Sequence, residues 1–255
     1  MEKITLITGA TSGIGKATAE LLAQHRYPLI LCGRRKEKLV SLADQLSKTT
    51  KVITLSFDVR DRKAVHQCIE NLPQTWQKID ILINNAGNAH GLDPIQEGNE
   101  DDWDAMIDIN VKGLLYVSKV IIPQMVERNT GHIINIGSVA GKEVYAQGNV
   151  YCASKYAVDA ITQGMRMDLN PYGIKVTAIH PGMVATEFSL VRFKGDAERA
   201  KNVYANVQPL TGKDVAEVIL FTITRPPHVN VADLLIFPTA QASATMIHRA
   251  EPPSK

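Results

Sequence analysis

Short runs rich in Val, Ile and Leu alternate with longer amphipathic stretches along the whole chain, and that alternation restricts the fold more than any other feature. Strands are expected at residues 4–8, 28–32, 52–57, 79–84, 132–137, 175–180 and 234–237, and helices at 13–24, 36–48, 62–72, 100–128, 149–169 and 212–224. Most of the strand runs are continuously apolar instead of alternating, as strands covered on both faces are. Such strands, alternating with helices, imply right-handed crossovers and a parallel sheet between two helical layers, an α/β architecture. No repeat, low-complexity linker or composition break divides the sequence, so residues 1–255 are expected to form one domain. Residues 183–211 are polar and only partly helical in pattern, and a connection of that length in a compact domain is usually functional, here a candidate lid. The tail at 250–255, with two prolines, is expected to fray or to wrap a neighbour.

Composition enters mainly by what it excludes. With 45% hydrophobic and 21% charged residues the chain is that of a soluble globular protein with a sizeable core. A net charge of +2 and 5% aromatics, without a basic tail, argue against nucleic acid as a partner. Three scattered cysteines (Cys32, Cys68, Cys152) and seven dispersed histidines give neither a disulfide framework nor metal-ligand spacing, so no metal is expected. The apolar run 114–125 is interrupted by Lys119 and Pro123 and is too short to cross a bilayer. With no signal peptide ahead of the first strand run, a cytoplasmic location is the expectation.

The chemistry is expected at Tyr151-Cys152-Ala153-Ser154-Lys155. A tyrosine and a lysine four residues apart share one helix face. An ammonium roughly 5–6 Å from a phenol, at an effective dielectric of about 20, favours the phenolate by ~3 kcal/mol, or about two pKa units. That would bring the phenol towards the range of a working acid/base. The same spacing arises by chance in many helices, so the pair needs company. Cys152 beside it has no partnered base in the sequence and reads as a small helix residue, not a nucleophile.

Company is found at strand ends. Thr8-Gly9-Ala10-Thr11-Ser12-Gly13-Ile14-Gly15 follows the first strand run, where glycines let backbone N–H groups approach a pyrophosphate at a helix N-terminus. The alternative is a plain strand-to-helix loop. The Gly-Lys-Ser/Thr of a phosphate-binding P-loop is missing, which argues against a kinase or NTPase. Arg34, Arg35 and Lys36 end the second strand, where an NAD site would usually carry an acid for the ribose. Positive charge set against a helix dipole makes sense if an anion intervenes, and the 2′-phosphate of NADP is the obvious one; a solvated basic cluster is the other reading. Asp58-Val59 closes the third strand, where a carboxylate could accept from an adenine amino group. Asn84-Asn85-Ala86-Gly87 closes the fourth, where asparagines can brace strands and the small pair leaves room for a ribose, unless the segment is an ordinary turn.

Taken in order, Thr8 to Gly15, Asp58-Val59, Asn84 to Gly87, Asn110, Ser138, Tyr151 to Lys155 and Pro181-Gly182 resemble the short-chain dehydrogenase/reductase family over essentially the full length. The runs 125–138 and 186–196 are similar to its NADP-dependent 3-hydroxy acid dehydrogenases, the serine/allo-threonine group. The resemblance implies a single-domain Rossmann-type doubly wound sheet of seven parallel strands with NADP(H) across its carboxyl edge. It implies Tyr151 as general acid/base, Lys155 as its partner on the nicotinamide ribose, Ser138 holding the substrate oxygen, and Asn110 anchoring a water. The cofactor residues it implies are Gly9, Thr11, Ser12, Gly13, Ile14, Gly15, Arg34, Arg35, Asp58, Val59, Asn85, Ala86, Gly87, Tyr151, Lys155, Pro181, Gly182, Val184 and Thr186. For Ser138 a strand-end hydroxyl, and for Asn110 a helix-kink residue, stay open as alternatives.

The expected substrate is a short 3-hydroxy acid or its carbonyl, with Arg192 as candidate for the carboxylate and a solvated lid face as the alternative. A broad carbonyl reductase is a close variant; a nucleotide sensor without catalysis and a structural oligomer-forming protein are different classes. His180, before Pro181, reads as packing or loop anchoring. The resemblance also implies a homotetramer, to which the apolar runs 114–122 and 158–167 would contribute.

Overall fold

Seven strands pair side by side in the order β3-β2-β1-β4-β5-β6-β9, every pair parallel, in a computed structural model that describes residues 3–250. The strands are β1 (Thr5–Thr8), β2 (Leu29–Gly33), β3 (Val52–Ser56), β4 (Ile81–Asn84), β5 (His132–Ile136), β6 (Lys175–Pro181) and β9 (Asp233–Ile236). Two more, β7 (Val184–Ala185) and β8 (Leu210–Thr211), pair with each other outside this sheet. The principal helices are α1 (Gly13–Gln24), α2 (Lys36–Leu46), α3 (Arg62–Glu70), α4 (Glu100–Ile107), α5 (Leu114–Arg128), α6 (Asn149–Leu169) and α9 (Gly212–Ile223). The short helices α7 (Phe188–Arg192) and α8 (Ala197–Asn202) lie between β7 and β8. The seven parallel strands are those expected, within a few residues at each end; the tail from Glu251 lies outside the described residues.

The apolar strands are continuous because successive side chains enter two different cores. Leu6, Leu82, Ile133 and Val176 pack with residues of α3, α5 and α6. Their neighbours Ile7, Ile81, Ile83, Ile134 and Ile179 pack with α1, α2 and α9 on the other face. The edge strands are the more exposed: β3 is half-buried over most of its length, and β9 alternates between exposed and half-buried residues.

The sheet reverses its order at β1, which lies between β2 and β4. In a doubly wound sheet the crevice beyond the carboxyl ends of the strands at such a point is where ligands bind. Thr8 joins the two turns that flank it: its hydroxyl accepts from the Asn85 and Ala86 N–H groups, each at 3.0 Å. The Asn85 amide in turn donates to the carbonyls of Thr8 and Gly9 at 2.9 and 3.2 Å. Asn84 braces the neighbouring strand through Asn135 at 2.9 Å, as the asparagine pair suggested.

Two features depart from the expectation. The single helix expected over 100–128 is α4 and α5 joined by a π-helical turn, Asp108–Gly113, which carries Asn110. A π turn adds a residue without breaking the helix, so apolar spacing does not reveal it. The segment 183–211 also holds more regular structure than its polar sequence indicated, because elements of two to six residues are too short to show a period.

Candidate active site

The crevice contains a cavity of about 320 Å³ whose walls come mainly from the ends of six strands and from one helix. Gly9, Thr11, Ser12, Gly13 and Ile14 line it from the turn after β1, Arg34 and Arg35 from the end of β2, and Asp58 and Val59 from beyond β3. Asn85, Ala86 and Gly87 follow from β4, and Ser138 from beyond β5. Tyr151 and Lys155 reach it from α6; Pro181, Gly182, Val184 and Thr186 close it from β6 and β7. Of the catalytic, cofactor and substrate residues expected from the sequence, Gly15, Asn110 and Arg192 do not line this cavity.

Gly15 has a different task. A Cβ there would collide with the Gly9 carbonyl and the Asn85 amide, so its glycine brings α1 close to the β1 turn. Gly9 and Gly13 have φ of +66° and +53°, where a side chain is strained. Ser12 at the start of α1 makes no side-chain cap bond, and the first turn holds no acid. By contrast α3, α4, α8 and α9 are capped by Asp61, Asn99, Asp196 and Thr211. The N–H groups of α1 are therefore left for something other than its own side chains, and they face the cavity. This cradle fits a dinucleotide's phosphates.

At the opposite end of the cavity Tyr151 is 7% exposed and Lys155 6%. The Ser138 hydroxyl, itself accepting from the Ala140 N–H at 3.1 Å, lines the same end of the cavity and opposes the rise of the phenol's pKa. Burial drives the Tyr151 pKa up, and Tyr145 adds to that, against Ser138 and Arg192. Burial also lowers Lys155, to about 8. Its ammonium donates to the Ile136 carbonyl at 3.0 Å, reaching to the end of β5. The expectation that Lys155 draws the phenol down is thus not met in this geometry: the phenol is raised, and desolvation is the reason.

Asn110 is buried, and its amide ties two elements together. Nδ2 donates to the Asn88 carbonyl at 2.8 Å and to Ser154 at 3.0 Å, while Oδ1 accepts from the Asn88 N–H at 2.9 Å. An added Cβ on Gly87 would stand 3.0 Å from Asn110 Oδ1 and 3.5 Å from Lys155 Nζ, so Lys155, Gly87 and Asn110 meet at one point.

The adenosine end of such a ligand would lie among charges. Arg35 donates through Nε and Nη2 to Thr11 at 3.1 and 2.9 Å, and through Nη1 to Glu187 at 2.8 Å. Lys38 reaches the same Glu187 at 3.3 Å. Arg34 lies 3.5 Å from Asp58, which also holds Arg60 at 2.8 Å. Burial alone would raise the Asp58 carboxyl, but Arg60 and Arg34 hold it below its ordinary range. Asp58 is thus engaged by arginines, with Arg34 and Arg35 at the rim of the cavity as the basic run required.

Arg192 sits beside the tyrosine, over a small adjoining pocket lined also by His90, Asp102 and Trp103. Its guanidinium carbon is 5.4 Å from the centre of the Tyr151 ring. Nε donates to the Gly91 carbonyl at 3.1 Å and Nη2 to the Tyr145 hydroxyl at 2.9 Å. Lys194 pairs with Asp102 at 2.9 Å, so the segment after β7 rests on the first turn of α4. Sequence reasoning missed Glu187, Phe188 (5.6 Å from the Tyr151 ring), Asn88 and Tyr145. Asn88 and Tyr145 belong to no motif, and Glu187 and Phe188 lie in the run 186–196 with no role that their sequence shows. Only the fold brings them to the site.

Comparison with known proteins follows the same lines. A family model described as short chain dehydrogenase matches residues 3–196. The chain is 45% identical over 249 residues to NADP-dependent 3-hydroxy acid dehydrogenase YdfG of Salmonella typhi, covering 97% of this chain and 100% of that protein. It is 46% identical over 243 residues to sulfoacetaldehyde reductase 2 of Chromohalobacter salexigens, covering 95% and 96%. Among solved structures, the closed form of a serine dehydrogenase complexed with NADP+ superimposes with a TM-score of 0.91 at 44% identity, over 97% of this chain and 100% of that one.

Proposed function

Because the chain belongs to the short-chain dehydrogenase family, we propose that it is an NADP(H)-dependent oxidoreductase that interconverts a short 3-hydroxy acid and its carbonyl. The observation that carries this reading is one cavity joining an uncapped helix N-terminus, a pair of arginines, and Ser138 beside the buried Tyr151 and Lys155. When bound, NADP(H) carries the hydride. Gly9 to Gly15 seat its phosphates, and Arg34 and Arg35 select the coenzyme with a 2′-phosphate over the one without.

The residues of the chain then handle the proton. Ser138 holds the substrate oxygen against the Tyr151 hydroxyl, which gives its proton to that oxygen in reduction and takes it in oxidation. A buried phenol with a raised pKa keeps its proton until the substrate oxygen demands it, which suits the acid role in carbonyl reduction. Lys155 supplies the nearby positive charge and Asn110 fixes the loop at Asn88 that walls the site.

A short acidic substrate is favoured by Arg192, whose guanidinium is held beside Tyr151 by Gly91 and Tyr145 with donors to spare. The relative named for sulfoacetaldehyde favours a second reading within this chemistry, with a sulfonate in place of the carboxylate. Residues 183–211 serve as the lid over this end. No helix among the described residues is long and apolar enough to cross a membrane, and the protein is proposed to work in the cytoplasm. The homotetramer is proposed to form through α5 and α6, where Leu115, Tyr156 and Met167 are exposed; sedimentation equilibrium reads its mass.

The test follows nicotinamide absorbance with NADPH or NADP+ and a panel of 3-hydroxy acids, sulfoacetaldehyde and neutral aldehydes. Tyr151→Phe is expected to abolish turnover while coenzyme binding stays within about twofold of wild type, since the phenol oxygen acts on the substrate's proton. Substantial turnover in that variant removes the acid/base assignment. An Arg192→Ala loss that falls equally on acidic and neutral substrates removes the carboxylate assignment.

A further inference from the structure

Behind the active site, His180 in β6 is fully buried yet not fully bonded. Its Nδ1 lies 3.2 Å from the Ser138 carbonyl oxygen. Its ring packs flat against Gly137, where an added Cβ would strike Nδ1 and come within 2.7 Å of Cε1. Nε2 has no hydrogen-bond partner; it faces Asp233 Oδ1 at 3.4 Å and Asp159 Oδ1 at 3.6 Å. Those carboxylates, from β9 and α6, are bridged by Lys142 at 2.6 and 3.0 Å. The Lys142 carbonyl in turn accepts from Tyr156 of α6 at 2.6 Å.

We propose that His180 is a positioning residue, which fixes Ser138 by donating from Nδ1 to its carbonyl, with Asp159, Asp233 and Lys142 enclosing the ring's far edge. The proposal rests on the reading of Ser138 as the residue that holds the substrate oxygen. A histidine kept only for packing would be better replaced by an apolar ring, because a buried nitrogen without a partner costs stability. The satisfied polar atom on this ring is the one on Ser138. Since a carbonyl only accepts, the proton must sit on Nδ1.

Lys142 already lies between the two carboxylates as their cation, so Asp159 and Asp233 are neutralised beside the ring and do not make a metal site with it. The ring's one hydrogen bond leads to one atom. The Ser138 carbonyl takes a second bond from the Gly141 N–H at 2.8 Å, and the Gly137 N–H is tied to the Ile179 carbonyl at 2.7 Å. These bonds hold the Ser138 backbone on both sides, and with it the place from which the hydroxyl reaches into the cavity.

Three substitutions separate the possibilities. His180→Asn places an amide N–H where Nδ1 lies and drops the unpartnered nitrogen. His180→Gln places its amide at the Nε2 end, and His180→Leu has neither donor. Leu and Gln are expected to lower kcat about tenfold or more, the scale of a misplaced reacting group, with KM for NADPH and the melting temperature little changed. Asn is expected to restore kcat to near wild type. Equal kcat in all three folded variants, or an Asn variant no better than Gln, overturns the proposal; if Leu fails to fold, the Asn–Gln pair decides alone. Ser138→Ala is measured beside them: full activity in that variant shows that the reading of the serine has failed, and the positioning role falls with it. A large loss there together with an indifferent Gln variant shows that only the role of His180 has failed.

Discussion

Tyr151 and Lys155 share one buried end of the cavity, and burial acts on them in opposite directions: it raises the phenol and lowers the ammonium to about 8. Both shifts disfavour charge at a site where charge must form, and the fold bears the cost. For Lys155 the sign is definite. Its folded pKa lies below the unfolded value, so the penalty is complete below pH 8 and disappears as pH rises towards ~10.4, amounting to roughly 3 kcal/mol at pH 7. Lys155→Met also loses the charge-assisted bond to the Ile136 carbonyl, so the expected net gain at pH 7 is about 0.5–1.5 kcal/mol. Urea unfolding at pH 7 and pH 10 reads it: the variant should be the more stable at pH 7, by a margin that shrinks at pH 10, while turnover falls. A variant less stable than wild type at pH 7 would show that the amine's contacts outweigh its burial. The helical spacing of Tyr151 and Lys155 was legible in the sequence. The destination of the lysine was not, because which carbonyl it reaches depends on where β5 ends. Tyr145 and Glu187 were invisible for the same reason, since each acts through a partner distant in the chain, Arg192 and Arg35.

At the scale of elements, the coenzyme end depends on two helix starts that differ in kind. The first turn of α1 is free of side-chain caps, whereas α2 opens with Arg35 at its N-cap, charge set against its own dipole. Glu187 after β7 neutralises Arg35 and Lys38, and it is held below its ordinary carboxylate range chiefly by its hydrogen bond from Arg35. The bridge is half-exposed and contributes little stability, so Arg35 remains available to a stronger anion. A charge-assisted bond to a phosphate is worth about 1.5–3 kcal/mol, so Arg35→Ala should raise KM for NADPH roughly 10–100-fold. KM for NADH should barely move; an equal rise for both coenzymes would mean that Arg35 holds the turn at Thr11 and not the phosphate. The basic run at 34–36 was legible because charge opposed to a dipole is anomalous in itself. The π turn carrying Asn110 and the strands β7 and β8 were not, because a one-residue insertion and a two-residue strand leave no period to detect.

Across the whole molecule, the alternation of apolar and amphipathic segments was enough to give seven parallel strands between two helical layers, since continuous apolar strands have two faces to bury. A polar group inside that core cannot be anticipated from the pattern, and His132 is one. It begins β5 in the interior of the sheet, bonded through Nε2 to Thr177 at 2.8 Å, with Nδ1 lacking a partner. Burial, reinforced by Lys175 and Lys3, brings its pKa down to about 3. The ring folds neutral, while the unfolded chain binds a proton at ~6.5, so stability is complete above that value and is lost as pH falls towards 3. Down to pH 4.5 this one residue should remove roughly 2–3 kcal/mol. His132→Gln keeps a polar partner for Thr177 and cannot take the charge. Between pH 7 and 4.5 its unfolding free energy should therefore fall by that much less than the wild type's, whatever the carboxylates contribute to both. If wild type and variant lose the same amount, the acid weakness lies outside the centre of the sheet, and the linked charges around Asp58 and Glu187 become the place to look.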